Sequence, residues 1–497
     1  MTNPRSAGPL WAGAARIDIT ATTEQVEDAP LFSRAEPSAA TDQLCAKALV
    51  LKDRTTHVVL ITVDAVAIAE IGTIGNDFLP RLRARIQQEL GIEPANVLVN
   101  ASHCHGVVCQ DLEERAFLAV TRALSNMVPV LVGAGSGRED RIMENRRLRL
   151  KNGREADVRR AYALPPDELI ASIGPVDPQI GILRLEREEG GILAVLFNFA
   201  CHPIQGVPSA GNTADLSGFA CKVIEDQVGD GAIAFFLQGC GADINPQLYR
   251  DLDNPPDAEP LGTMLGLSTL QALRTIRCCD QGPLQLINES LALPRADLTA
   301  GIQALRIEQK QLLKSLRGTN LNLKSFVPLL VKYELSGEYP SYDAHRYLFQ
   351  QRMGRDGLRI LDRHNRQSLD HYIANIHIME ELTRIQTNLA LLEKNQILNQ
   401  TAGEDSITVE VVGLRIGAFV LIAFPGELPV QIGLGIKSRS PHPFTFVAGV
   451  SNGYIYYAPT AEQLRNIGHA QEDSDCLLSP EWQPLFEQEV TDILQRL

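Results

Sequence analysis

Residues 97–106 read VLVNASHCHG. An apolar run of strand length ends in two histidines, His103 and His105, one residue apart. Ending a strand does not require imidazole, so the pair holds a metal, moves protons or caps a piece of core. The run also sets the fold class, because it is one of six. HVVLITVDAV (57–66), NVLVNAS (96–102), GILAVLFNFA (191–200), AIAFFLQG (232–239), AFVLIAF (418–424) and FTFVAGV (444–450) are all nearly continuous in apolar residues. Strands covered on both faces have that composition, and helical patterns such as 76–90 and 215–228 lie between them. The expectation is an α/β protein with a layered β-sheet core flanked by helices, and with Asp215 as N-cap of the second of those helices.

From 298 to 400 the strand-like runs stop. IQALRIEQKQLLKSL and LDHYIANIHIMEELTRIQTNLALLEK carry apolar residues three to four apart, which predicts a helical insertion within a single domain spanning 1–497. Proline-bearing stretches at 164–178 and 252–261 read as surface loops.

Composition narrows the partners. With 60 acidic against 46 basic residues the net charge is −14, which works against a polyanionic partner, so no nucleic acid is expected. Neither a signal-peptide pattern near the N-terminus nor an apolar run of roughly 18 residues is found, so a cytoplasmic protein without stable membrane insertion is expected. The nine cysteines form no C-x-x-C pair and read as reduced thiols.

The chemistry collects at strand ends. His103 and His105 follow the second run, His202 the third, Asp243 and Asn245 the fourth, Glu427 the fifth, and Tyr454, Tyr456 and Tyr457 the sixth. Loops beyond strand ends converge on a rigid floor, so these residues can share one site. Two histidines, a glutamate and a tyrosine are competent zinc ligands, and zinc makes hydrolysis the natural chemistry. Singly, each has a bland alternative: a polar strand end for H-x-H, a hydrogen-bonded loop residue for His202 or Glu427, a solvated charge run for Arg146 and Arg147. No G-x-S-x-G, Walker or dinucleotide-binding motif stands in a supporting context.

In their order along the chain these residues resemble the catalytic domain of the neutral/alkaline, non-lysosomal ceramidase family. The matching stretches are AGAARIDIT, LITVDAV, SHCHG, ENRR, DPQIGILRL, NFACHP, TADLSG, QGCGADINP, FPGE and SNGYIYYAPT, from about residue 12 to 460. The resemblance implies a ceramidase-like amidohydrolase with one Zn2+ per chain. It places the metal ligands at His103, His202, Glu427 and Tyr457, a proton-handling or oxyanion-stabilising role at His105, and substrate holding at Arg146. Asp215 and Asp243 are expected to orient ligands from behind. Where the family has its active-site serine this chain has Asn245, and where it has a second active-site tyrosine stands His469; both are assigned to the catalytic set. The resemblance covers the family's catalytic domain, and no counterpart of its C-terminal immunoglobulin-like module is expected.

The substrate expected is a small molecule, N-acylated or lipophilic, cleaved at an amide or a related ester or lactone. Cyclisation or acyl transfer on the same scaffold, a binding protein without turnover, and a homo-oligomer all stay open.

Overall fold

The computed structural model describes residues 9–27, 42–157, 164–205, 212–248, 257–280, 282–466 and 470–497. The chain divides into two compact units, one of residues 1–297 and 394–497 and one of residues 298–393.

The first unit is built on two sheets. An eight-stranded sheet runs in the order Ile233–Gln238, Ile192–Phe199, Gln179–Arg187, Val128–Arg138, Leu10–Asp18, Cys45–Lys52, His57–Val63, Val97–Ala101. A four-stranded sheet runs Leu284–Pro294, Ser406–Ile416, Phe419–Ala423, Phe444–Ala448. Leu49, Leu60, Leu196 and Phe235 of the first sheet share one buried cluster with Leu414, Phe419, Leu421 and Phe446 of the second, so the sheets pack face to face. Helices Phe78–Leu90 and Leu112–Ser125 cover half of the large sheet's other face, and Asp215–Val228 and Ala258–Leu273 the other half. Helices Val430–Arg439 and Trp482–Arg496 cover the small sheet. This is the layered α/β architecture expected from the apolar runs.

The six apolar runs form the three parallel pairs of these sheets: 57–63 with 97–101, 192–199 with 233–238, and 419–423 with 444–448. A parallel pair needs a crossover, supplied by helices 78–90, 215–228 and 430–439 respectively. The remaining six strands are antiparallel and do not stand out as apolar runs. In SITVEVVGLRI (406–416) charged residues interrupt the pattern, and in VPVLVGAGSGR (128–138) glycines do. Those glycines have a packing cause. A Cβ on Gly133 or Gly135 would lie 2.6 Å from the Ile276 side chain, so only glycine lets that segment lie against the strand.

Three buried amides stitch the parallel pairs together at one end. Asn100 Nδ2 donates to Gly449 O at 2.8 Å and Ser451 Oγ at 2.9 Å, and its Oδ1 accepts from Gln238 N at 3.2 Å. Asn198 Nδ2 donates to Leu237 O and Val447 O, both at 3.1 Å. Gly449 N donates to Gln238 O at 3.0 Å. The C-terminal ends of three separate crossover units are thereby fixed side by side.

Three local expectations are corrected. Asp215 is not the N-cap: Ala214 holds that position, and Asp215 follows it at φ +55° with its Oδ1 accepting from Leu216 N–H. The 252–261 loop is shorter than expected, because helix Ala258–Leu273 begins inside it with Asp257 as its cap; 252–256 lie outside the described residues. The 164–178 stretch contains a short strand, Ile170–Ile173.

The second unit is helical among its described residues, with Thr299–Ser315, Leu323–Leu335, Ala344–Arg352 and the start of the long helix Gly357–Ala402. Phe326 and Tyr333 of the second of these pack on Leu369. All nine cysteines are free thiols. No helix among the described residues is long and apolar enough to cross a membrane.

Candidate metal centre

Each parallel pair ends in a polar turn that leads into the site. After strand 97–101 the backbone reverses at His103, whose φ of +68° lies in the left-handed region that non-glycine residues seldom occupy. Val450 and Tyr456, in the turns after strand 444–448, share that geometry at +48° and +64°. Strain concentrated in this way persists where the surrounding contacts over-determine it, often at functional sites. Here the contacts are visible: His103 N donates to Ala65 O at 2.9 Å, and Ala101 N to Val450 O at 3.1 Å.

The turns bring His103, His202 and Glu427 together, fully buried, with one ligand atom from each lying within 4.8 Å of the others. His202 Nε2 is 3.0 Å and His103 Nε2 3.4 Å from the same carboxylate oxygen, Glu427 Oε2. The opposite ring nitrogens are anchored on main-chain carbonyls, His103 Nδ1 on Val66 O at 2.6 Å and His202 Nδ1 on Ile244 O at 3.0 Å. A carbonyl only accepts, so each Nδ1 carries the proton, and a neutral ring then presents its Nε2 lone pair to the carboxylate. Lone pairs converging on one point repel unless a proton or a metal cation sits among them.

The electrostatics follow this crowding. Burial works against charge on His103, but the Glu427 carboxylate and the Val66 carbonyl hold its pKa above the usual histidine value. Burial and the Arg146 charge push His202 down to about 4. Burial would raise Glu427, yet the two histidines hold it well below the ordinary range. Its other oxygen, Oε1, accepts from Tyr454 OH at 2.5 Å.

Residues 427 and 457 run side by side along the backbone, with Glu427 N donating to Tyr456 O at 3.0 Å and Ala458 N to Glu427 O at 2.9 Å. The Tyr457 hydroxyl accepts from Arg146 Nη2 at 3.2 Å. Arg146 is buried and spends most of its donors on the protein: Nε on Glu472 Oε1 at 2.7 Å, Nη1 on Asn245 Oδ1 at 3.0 Å, and Nη2 also on Ala242 O. Asn245 sits on the short strand Ile244–Pro246, completely buried, and its Nδ2 has no hydrogen-bond partner. A guanidinium cannot accept, so Asn245 must turn its oxygen to Arg146 and its NH2 the other way. His105 lies beside the cluster, its ring centroid 5.9 Å from that of His103; those of His103 and His202 are 4.9 Å apart. His469 lies outside the described residues.

The orienting role expected of Asp243 is corrected. Its Oδ1 accepts from Val430 N at 2.8 Å and its Oδ2 from Asn145 Nδ2 at 3.0 Å, so it ties the turn to helix 430–439, while carbonyl oxygens orient the histidines. Sequence reading also passed over Glu472. Its carboxylate bridges Arg146 and Arg147, with Asp473 and Asp157 close by. Burial and the charge of Asp157, against the pull of the two arginines, raise its pKa to about 8. Nothing in AQEDSDC marks that residue as buried, whereas Tyr454, two residues past an asparagine in a tyrosine-rich turn, was visible.

A sheet sandwich whose strand-end turns gather two histidines and a glutamate is the general arrangement. Among solved structures the fold is similar to neutral ceramidase from Pseudomonas aeruginosa, with a TM-score of 0.61 and 15% identity over 98% of this chain and 75% of that one. A ceramidase complexed with C2 is similar to the same degree, with a TM-score of 0.60, 16% identity, and 98% and 76% coverage. No protein-family model matches the chain, and no curated protein matches it.

Proposed function

We propose that this chain is a metal-dependent hydrolase of an amide, or of a related ester or lactone, in a small molecule. His103, His202, Glu427 and Tyr457 would hold one Zn2+. The observation that carries this reading is the buried convergence of two imidazole Nε2 atoms on one carboxylate oxygen, a donor set that suits zinc, in a fold shared with neutral ceramidase. Zinc, when bound, supplies Lewis-acid polarisation of a carbonyl and a nucleophile at neutral pH.

The chain's own residues divide the remaining work. Asn245 offers its unpaired Nδ2–H to the carbonyl oxygen as negative charge develops there, an interaction typically worth about 100- to 1,000-fold in rate. An amide is no nucleophile, so a covalent acyl route through position 245 is not served. Arg146 keeps the Asn245 amide from flipping, which makes it a positioning residue more than a substrate clamp. His105 handles protons at the edge of the cluster, and His469 is assigned the same task from its place in the sequence. A lipophilic N-acyl compound, as the fold neighbours' names suggest, is the first substrate class to try.

The test is a turnover screen over N-acyl amines, N-acyl amino acids, lactones and ceramides, read by product mass. Products whose masses together equal the substrate plus one water, lost with chelator and in His103→Ala, support hydrolysis. A new ring together with a released amine or alcohol, their masses summing to the substrate with no water added, points to cyclisation, and tight binding without product points to a binding protein; either result overturns the proposal.

A further inference from the structure

The helical unit inverts the pattern of the first. Fifteen of the 25 exposed large apolar side chains among the described residues fall in 298–393, a fifth of the chain. They concentrate around the helix Ala344–Arg352 and the start of Gly357–Ala402, where Tyr342, Leu348, Phe349, Met353, Ile360 and Leu361 are between 48% and 94% exposed. The cause is a fixed orientation. Tyr347 is buried and donates to Asp362 Oδ1 at 3.1 Å, and Tyr333 donates to the same oxygen at 2.8 Å. With Tyr347 and Asp362 turned inward, the residues on the opposite sides of their helices face out. Helix Leu323–Leu335 does the same: Phe326 and Tyr333 face in, while Val327 and Val331, four residues apart, are exposed. A helix apolar on both sides is normally covered on both.

Charge identifies the cover. Residues 298–393 carry 13 Lys+Arg against 10 Asp+Glu, a net +3 in a chain of net −14. Among the exposed apolar residues stand Arg346, Arg352, Arg355, Arg359 and Arg363, all exposed, against Asp343, Asp356 and the inward-facing Asp362. Basic side chains interleaved with outward Leu, Ile, Phe and Tyr form a surface that lies in the headgroup layer of an anionic bilayer, with apolar side chains reaching the acyl boundary. A nucleic acid would meet the arginines but leave the leucines and isoleucines in water. A second copy pairing through the same face would set five arginines against five arginines.

We propose that residues 342–363 of the helical unit dock this protein peripherally on an anionic lipid surface. The full chain is co-sedimented with phosphatidylcholine vesicles and with vesicles of equimolar phosphatidylcholine and phosphatidylserine. Binding at least tenfold tighter to the anionic vesicles is expected. Phe349→Asp with Ile360→Asp, and separately Arg352→Glu with Arg355→Glu, should each weaken it at least tenfold at an unchanged melting temperature. Equal or absent binding to both vesicles overturns the proposal, as does wild-type binding by both variants. So does a stable dimer in light scattering that the same substitutions split, or capture of duplex DNA without vesicle binding.

Discussion

The strand-end centre and the helical unit dispose of their awkward groups in opposite ways. At the centre, charged and polar side chains are buried and matched: Arg146, Arg147, Glu472 and Asp473 share one network, and Asn100 uses both ends of its amide. In the helical unit apolar side chains are exposed and unmatched. Burying a polar group costs several kcal/mol unless a partner is built for it, so the first pattern persists only where geometry is fixed. Exposing a leucine costs less, so the second is tolerated until something covers it. Each region leaves groups over: in the first, several buried polar atoms among the described residues, Asn245 Nδ2 the one whose oxygen is held by Arg146; in the second, an uncovered apolar face.

The contrast can be broken from either side. The largest effect is expected for Glu427→Gln, which removes the charge on which both histidines converge; N-acyl turnover should fall by about 1,000-fold or more, measured as kcat/KM, with metal retention lost. Asn245→Ala should lower kcat by about 100-fold or more while metal content is unchanged; a change confined to KM would show that the amide only binds substrate. Asn100→Ala deletes three buried hydrogen bonds between crossover units and should cost about 3 kcal/mol in a denaturant titration.

Next comes a pH effect. With its pKa raised to about 8 in the folded chain, Glu472 binds a proton that the unfolded chain, near 4.5, has released. The native state therefore holds more protons between those values, and stability falls as pH rises from 5 towards 8. Glu472→Gln should flatten that slope in thermal melts; an unchanged slope assigns the proton elsewhere. The smallest effect belongs to the other region, where Val331→Ser should stay within about 0.5 kcal/mol of the parent. A larger loss would mean that the exposed face is covered within the chain itself.

The sequence made one class of strand legible. The six apolar runs all proved to be members of parallel pairs, because only a strand buried on both faces reads as continuously apolar. In 406–416 the less buried Thr408 and Glu410 alternate with buried Val409 and Val411, and 128–138 gave its side chains up to close packing, so neither pattern stood out. The cluster was legible for the same reason, since His103, His202 and Glu427 follow such runs within three residues. What sequence could not show is what holds the site. Val66 and Ile244 contribute carbonyls, which leave no mark on residue identity. Glu472 lies 326 residues from Arg146, its guanidinium partner. Asn100 and Asn198 did leave a trace, as single amides inside apolar strands.

Metal content tests the central claim most directly. The full chain, purified without chelator, is measured by elemental analysis alongside His103→Ala and Glu427→Gln. One zinc per chain in the parent and loss of that zinc in both variants is the expected result. A parent chain that holds no zinc, takes none up on titration and still hydrolyses an N-acyl substrate would contradict it.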